Sequence, residues 1–312
     1  MAIDRLFESL RDAALSAGRQ RTAVAYPLCL SSLGAALQAR DAGYIEPVLV
    51  GPARRIAALL AEMGVRAGDL EILDTPDDEK VAARTAAALA RDGAAAMLMK
   101  GSLHTDHFMS AVVARESGLR TDRRISHAFV MAVAAYPKLF ILTDAAVNIA
   151  PTLQEKADIA QNAIDLARAL GVPRPKLAVL CATESVNPSM PATLDAAALS
   201  KMADRQQIRG GDIDGPLAFD NAISRDAAEQ KGIVSRVAGD ADILLVPDIE
   251  AGNMLYKELT WLAGAGTAGL VLGTRVPVLL TSRSDSMEAR VNSCAVAVLY
   301  ARAVAANPSG LP

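Results

Sequence analysis

The stretch TSRSDSMEAR (281–290) places hydroxyls, two arginines and two carboxylates directly after the apolar run VPVLL. Hydroxyls and guanidinium groups receive anions, and a carboxylate within reach takes a proton. A second polar cluster, HTDH (104–107), brings two histidines and an aspartate close to Lys100. A metal centre needs three or more ligands held in geometry, and the third histidine, His127, sits on another segment, so no metal is expected. GAGTAG (264–269) fits GxGxxG, but the helical LYKELTWLAG precedes it and the strand-like AGLVLG follows. That order reverses the dinucleotide fingerprint, and a glycine closing a helix is an ordinary cap. Neither a GxSxG elbow nor a GxxxxGK[ST] loop is present.

These groups must be held by ordered elements. Short apolar runs recur as strand candidates: TAVAYPL (22–28), PVLVG (47–51), AAMLMKG (95–101), KLFILTD (138–144), KLAVLCA (176–182), ADILLVPD (241–248), AGLVLG (268–273) and VPVLLTS (276–282). Helical patterns such as DDEKVAARTAAALARDG and TLQEKADIAQNAIDLARALG lie between them. Continuous apolar strands alternating with helices predict an α/β fold with a parallel sheet covered on both faces. Ligands of such sheets bind beyond the carboxyl ends of the strands. Five polar loops sit there: KGSLHTDH, TDAAVNIAP, ATESVNPSMPAT, PDIEAGN and TSRSDS. The expectation is that they converge on one crevice.

Composition narrows the class. The chain has 312 residues, 52% of them apolar and only 4% aromatic, which suits a helix-rich α/β enzyme of one large or two ordinary domains. A net charge of −3 supplies no basic field for nucleic acid or an anionic membrane. No apolar run reaches the ~18 residues of a membrane span. The amphipathic N-terminus, with Asp4, Glu8 and Asp12, does not read as a signal peptide. Cys29, Cys181 and Cys294 are scattered in apolar contexts and read as reduced thiols of a cytoplasmic protein.

Six separated motifs carry a family resemblance. They are GLRTDRRISHAF with LFILTDAAVNIAPTLQEKADIAQNAIDLARALG, VLCATESVNPSMPATLDAAALSKM, GGDIDGPLAFDNAIS, GDADILLVPDIEAGNMLYK and VPVLLTSRSDSMEARVNS. In order and spacing the chain resembles the phosphate acetyl/butyryltransferase family, more its butyryltransferase branch, from about residue 22 to 305. The resemblance implies the reversible reaction acyl-CoA plus phosphate to acyl phosphate plus CoA, with a butyryl or acetyl donor, by direct transfer in a ternary complex. It implies two α/β domains around a cleft, a fold like the isocitrate and isopropylmalate dehydrogenases. The first domain would comprise 1–136 plus 271–312, and the second 137–270. It also implies a homodimer, no metal, no cofactor beyond coenzyme A as substrate, and metabolic coupling to an acyl kinase.

The resemblance assigns roles residue by residue. Ser282 and Arg283 match the family's Ser-Arg pair: Ser282 would hydrogen-bond the reacting thiol or oxyanion, and Arg283 would hold the phosphoryl group. Arg124 and Ser126 match its Arg-x-Ser pattern and would form a second phosphate clamp. His104 and Thr105 would line the phosphate or acyl pocket. Asn253 and Lys257 match positions at the domain interface, and Lys257 would contact phosphate or pair with Glu250. Asn148, Asn187-Pro188 and Asp220 would shape loops along the cleft. One departure stands out. The acetyltransferase branch places its proposed thiol base seven residues after the Ser-Arg pair, where this chain has Ala289. Asp285 and Glu288 are the remaining candidates, Asp285 being equally a helix N-cap, with Arg283 and Arg290 available to lower the thiol pKa. The butyryltransferase branch is similar in lacking that aspartate. A second departure is Trp261 where the acetyltransferase pattern has a basic residue, suiting either a longer acyl chain or a core. Two alternatives remain: a non-catalytic acyl-CoA or acyl-phosphate-binding protein, and a decarboxylating dehydrogenase on the same fold.

Overall fold

The computed structural model describes residues 2–280 and 286–307. They form an α/β fold with mixed sheet. In chain order its elements are α1 (Ala2–Ala17), β1 (Gln20–Ala25), α2 (Leu30–Asp41), β2 (Ile45–Gly51), α3 (Ala53–Glu62), β3 (Glu71–Asp74), α4 (Glu79–Arg91), β4 (Met97–Lys100), α5 (Thr105–Val113), β5 (Ser126–Ala132) and β6 (Phe140–Thr143). Then come α6 (Leu153–Ala169), β7 (Lys176–Leu180), α7 (Pro191–Asp204), β8 (Asp212–Leu217), α8 (Phe219–Ile223), α9 (Arg225–Gln230), β9 (Ile243–Leu245), α10 (Ile249–Trp261), β10 (Gly266–Leu272), β11 (Val278–Leu279) and α11 (Met287–Ala306).

The chain divides into two compact units. One holds Met1–Glu8 and Arg123–Thr267, and the other Ser9–Asp122 with the return from Ala268. The sequence places the crossings near 136 and 271. In the Ser9–Asp122 unit the strands run in the order β3-β2-β1-β4-β11-β10. In the Arg123–Thr267 unit the order is β5-β6-β9-β7-β8.

The expected all-parallel sheet is corrected at two places. β5 pairs with β6 antiparallel, and β10 with β11. The reason is loop length: residues 133–139 and 273–277 are too few for the helical crossover that a parallel pair requires. Strands β3, β5 and β8 were not among the strand candidates. β3 (EILD) and β8 (DIDGPL) lie at sheet ends and are largely half-buried or exposed, so neither carries a continuous apolar run.

Small residues set the packing distance. α4 buries Ala82, Ala83, Ala86, Ala87 and Ala90, a flat stripe that lets the helix lie close against β1 and β2. In the other unit one apolar cluster includes Leu142, Ala145, Ala178, Leu180, Leu217, Leu244 and Val246, with Leu255, Tyr256 and Leu259 of α10 packed on it. α10 approaches through Gly252. A Cβ there would stand 2.7 Å from Val246 Cγ2 and 3.0 Å from Ala145 Cα. Among the described residues no helix is long and apolar enough to cross a membrane.

Replacing Gly252 tests this contact. Alanine in mid-helix is worth ~1 kcal/mol over glycine, whereas overpacking a rigid contact costs ~1–3 kcal/mol. Gly252→Ala is therefore expected to lower stability by about 1 kcal/mol and the Tm by about 2–4 °C. Calorimetric melting checks it, and a raised Tm would show that α10 is not held at contact distance by this residue.

Candidate functional site

Two polar constellations stand at strand ends, one in each unit. In the Arg123–Thr267 unit the centre is Asp144, directly after β6. Its carboxylate is buried and accepts from the backbone N–H groups of Ala146 (2.9 Å), Val147 (3.0 Å), Asn148 (3.3 Å) and His127 (3.2 Å). Asn148 Nδ2 donates to it at 2.6 Å and to the Ile125 carbonyl at 2.8 Å. Asn148 Oδ1 accepts from Arg124 Nε at 2.7 Å.

Helix α6 supplies the second wall. Thr152 caps it in a reciprocal capping box with Glu155, whose carboxylate accepts from Thr152 N at 2.9 Å and Thr152 Oγ1 at 3.1 Å. Glu155 also pairs with Arg124 Nη1 at 3.0 Å. The Thr152 N–H, then its hydroxyl, then Arg124 hold the Glu155 carboxyl below the usual carboxylate range. One turn on, Asp158 accepts from the Arg124 backbone N–H at 3.0 Å. Another turn on, buried Asn162 donates to the Arg124 carbonyl (2.9 Å) and to Ser126 Oγ (3.0 Å). Arg123 bonds the buried carboxylate of Asp165; burial pushes that carboxyl up and Arg123 opposes the shift.

Helix α10 braces the same loop. Asp248 caps it, accepting from Ala251 N at 2.9 Å. Ile249 N bonds the Ile149 carbonyl at 3.0 Å, and Asn253 Nδ2 the Ala145 carbonyl at 3.2 Å. Beneath, the His127 ring lies tilted against Phe129 at 4.2 Å, and Phe129 stacks on Tyr256 at 3.8 Å. His127 is buried, and among the described residues its Nδ1 has no hydrogen-bond partner.

The second constellation belongs to the Ser9–Asp122 unit. The turns after β1 and β4 are stitched together: Gly101 N bonds the Ala25 carbonyl at 2.9 Å, and Ser102 Oγ the Tyr26 carbonyl at 2.8 Å. Gly101 is needed because a Cβ would lie 2.3 Å from the Ala25 oxygen. His104, exposed, is the N-cap of α5, with exposed Thr105 following it. Glu79 receives the His104 backbone N–H at 3.0 Å and bonds His107 Nδ1. Burial works to raise the Glu79 carboxyl, and these two bonds outweigh it, leaving it lowered. Among the described residues no group of three or more metal-ligating side chains is gathered.

The sequence-predicted residues fall as follows. Arg124, Asn148 and Asn253 join the Asp144 constellation, as shown by the bonds above. Ser126 is wholly buried, with its hydroxyl under Asn162, so it supports β5 and does not face solvent. Lys257 is exposed on α10, and no ion pair joins it to Glu250 among the described residues. Asn187 shapes its loop, accepting from Ser189 N at 2.9 Å, and Asp220 is exposed in α8. Trp261 is 78% exposed, which removes the core reading. GAGTAG lies between α10 and β10. Glu288 is exposed in the first turn of α11, with Arg11 at 3.9 Å. Arg290 is buried and donates to Ser31 O (2.9 Å) and Ser31 Oγ (2.6 Å), anchoring α2's first turn. Ser282, Arg283 and Asp285 lie outside the described residues. None of the three cysteines forms a disulfide; burial pushes the Cys181 thiol up to about 11 and the Cys294 thiol up to about 12.

Sequence reasoning missed Asp144, Glu155, Asp158 and Asn162. The last three recur at i, i+3 and i+7 of α6, one face of a helix. Asn162 within the apolar AQNAIDLA was the available signal, since a buried amide needs polar partners.

The sequence model described as phosphate acetyl/butaryl transferase matches residues 79–298. The chain is 55% identical over 280 residues to a phosphate acetyltransferase of Rhizobium meliloti, covering 90% of this chain and 88% of that protein. It is 45% identical over 269 residues to a phosphate butyryltransferase of Clostridium acetobutylicum, covering 86% and 89%. The crystal structure of a branched-chain phosphotransacylase from Enterococcus faecalis superposes with a TM-score of 0.80 at 32% identity, over 90% of this chain and 99% of that one.

Burial holds His127 neutral, lowering its pKa from 6.5 to about 4 against the opposing pull of Asp144. The unfolded chain takes up that proton near pH 6.5, so the contribution is full above 6.5 and drains as pH falls towards 4. Between pH 7 and 5 the loss is about 2 kcal/mol at ~1.4 kcal/mol per unit. Urea unfolding at the two pH values should show this loss in wild type and its absence in His127→Gln. Equal losses in both would assign the acid sensitivity elsewhere.

Proposed function

The chain belongs to the phosphate acetyl/butyryltransferase family, and from that premise we propose that it is an acyltransferase interconverting acyl-CoA plus phosphate with acyl phosphate plus CoA. The observation that carries the reading is the 55% identity, across 90% of the chain, to a protein named for this transfer.

The chemistry assigns tasks to this chain's residues. A phosphate oxygen attacks the thioester carbonyl, the tetrahedral oxyanion collapses, the C–S bond breaks, and the CoA thiolate leaves and takes a proton. Arg124 offers a half-exposed guanidinium, already oriented by Asn148 and Glu155, to the phosphate dianion. Arg283 is the second clamp, and Ser282 donates to the oxyanion or thiol. His104, Thr105, Asn253 and Lys257 are substrate-lining groups in this reading. Asp285 and Glu288 are the candidate bases, Glu288 being held only by an exposed 3.9 Å contact to Arg11, and Arg283 is the cation near the thiol. No acyl-enzyme forms, since transfer is direct within a ternary complex.

The finer architecture follows the same premise: a fold of the isocitrate and isopropylmalate dehydrogenase kind, supported by the division into two α/β units. A short-chain donor, butyryl or acetyl, is part of the proposal; the relative named for acetyl transfer shares more residues than the one named for butyryl transfer. A homodimer, a cytoplasmic location, independence of metals and coupling to an acyl kinase complete it, the location resting on cysteine usage and the rest on the family resemblance.

CoA release from acetyl-, propionyl- and butyryl-CoA, with and without phosphate, tests the reading through a thiol reagent. Release should require phosphate. Ser282→Ala should lower kcat by ~10²–10³-fold, the scale of losing one oxyanion donor. Arg283→Ala should abolish saturation by phosphate. The donor ranking identifies the acyl chain. Binding of acyl-CoA without phosphate-dependent release from any donor would favour a non-catalytic binding protein.

A further inference from the structure

We propose that Asn148, locked by Asp144, is a positioning residue that sets the orientation of the Arg124 guanidinium. The proposal rests on the reading that Arg124 receives phosphate.

The argument begins with the amide. Asn148 is 2% exposed, and its Nδ2 faces two acceptors, the Asp144 carboxylate at 2.6 Å and the Ile125 carbonyl at 2.8 Å. An amide nitrogen donates and its oxygen accepts, so this environment fixes which way the group points. The oxygen is thereby aimed at Arg124 Nε, 2.7 Å away. Asp144 cannot yield to relax the amide. Its Oδ1 is held by the N–H groups of Ala146 and Val147, and its Oδ2 by those of His127 and Asn148.

Glu155 is the opposing arm. It is tied to Thr152 by the capping box and meets Nη1 at 3.0 Å. Contacts at two different nitrogens of a planar group define its plane. Among the described residues no group is bonded to Nη2, and the side chain is 52% exposed. The guanidinium is thus oriented before any anion arrives, which spares the entropy of ordering a long side chain on binding. Without Asn148 the charge remains but the orientation does not. The group is then free to turn towards Glu155 and Asp158, carboxylates that compete with phosphate.

The test is a double-mutant cycle on phosphate saturation. Arg124→Ala and Asn148→Ala are compared singly and together, with acyl-CoA saturation followed in parallel. Asn148→Ala should raise the KM for phosphate about 10-fold, the scale of one hydrogen bond to a charged group, and leave the KM for acyl-CoA within about 2-fold. The double variant should be no worse than Arg124→Ala alone. Additive effects, or equal rises in both KM values, would overturn the inference and leave Asn148 a stabiliser of its loop. If Arg124→Ala itself leaves phosphate saturation unchanged, the assignment of Arg124 fails, and the inference with it. Should Asn148→Ala not fold, Arg124→Lys answers the same question, since it keeps the charge and removes the Nε contact. A KM for phosphate close to that of Arg124→Ala supports the inference, whereas recovery to within about 2-fold of wild type shows that charge alone suffices and overturns it.

Discussion

A single buried carboxylate organises the Arg123–Thr267 unit. Asp144 closes β6 and draws four backbone N–H groups and one amide onto its two oxygens. A buried charge is costly unless every lone pair is used, so the loop must fold around it. From that constraint the neighbours follow. The TDAAVN turn becomes rigid, and Asn148 becomes a fixed acceptor for Arg124. Ala145 then presents a flat surface to Gly252 and a carbonyl to Asn253. His127, whose backbone N–H serves the same carboxylate, is left with a buried neutral ring in the Phe129–Tyr256 stack. The placement of Arg124 thus owes as much to its supports as to the arginine itself.

The other unit reaches a rigid strand-end surface by a different route. It relies on backbone proximity where the first relies on charge. Gly101 permits the turn after β4 to touch the turn after β1, and Ser102 closes the contact from both sides by accepting from Leu28 N and donating to the Tyr26 carbonyl. Glu79, in the first turn of α4, then fixes the approach of α5 by taking the His104 N–H. His104 is thereby placed as an N-cap, its backbone tied to Glu79 and its exposed ring edge-on to His107.

How much of this was legible in the sequence depends on the kind of residue. The continuous apolar strands β1, β2, β4, β6, β7, β9, β10 and β11 were visible because burial on both faces leaves runs of Val, Ile, Leu and Ala. The strands β3 and β8 were not, because a sheet end tolerates the polar EILD and DIDGPL. Parallel pairing was inferred from alternation, and the two short connections that forbid it could have been counted. Among site residues, Arg124 and Asn148 were named, but their connection was invisible. It runs through Asp144, Glu155 and Asp158, which in sequence look like a strand cap and an ordinary charged helix face. Ser126 was misread in orientation, since its β5 position turns the hydroxyl inward to Asn162.

The described part of 281–290 begins at Ser286, the N-cap of α11. Ala289 lies in the first turn of α11, where its N–H bonds the Ser286 hydroxyl at 3.1 Å, so this position serves the capping of the helix. Its two flanking residues are both spoken for. Glu288 leans to Arg11 across an exposed 3.9 Å contact, which solvent screening makes weak. Arg290 points the other way, into the protein, where Ser31 holds it by two oxygens. These two contacts differ in kind. Turning Glu288 sacrifices little, whereas withdrawing Arg290 would break two hydrogen bonds of a buried guanidinium. Through Ser31, Arg290 keeps the start of α11 fixed against α2.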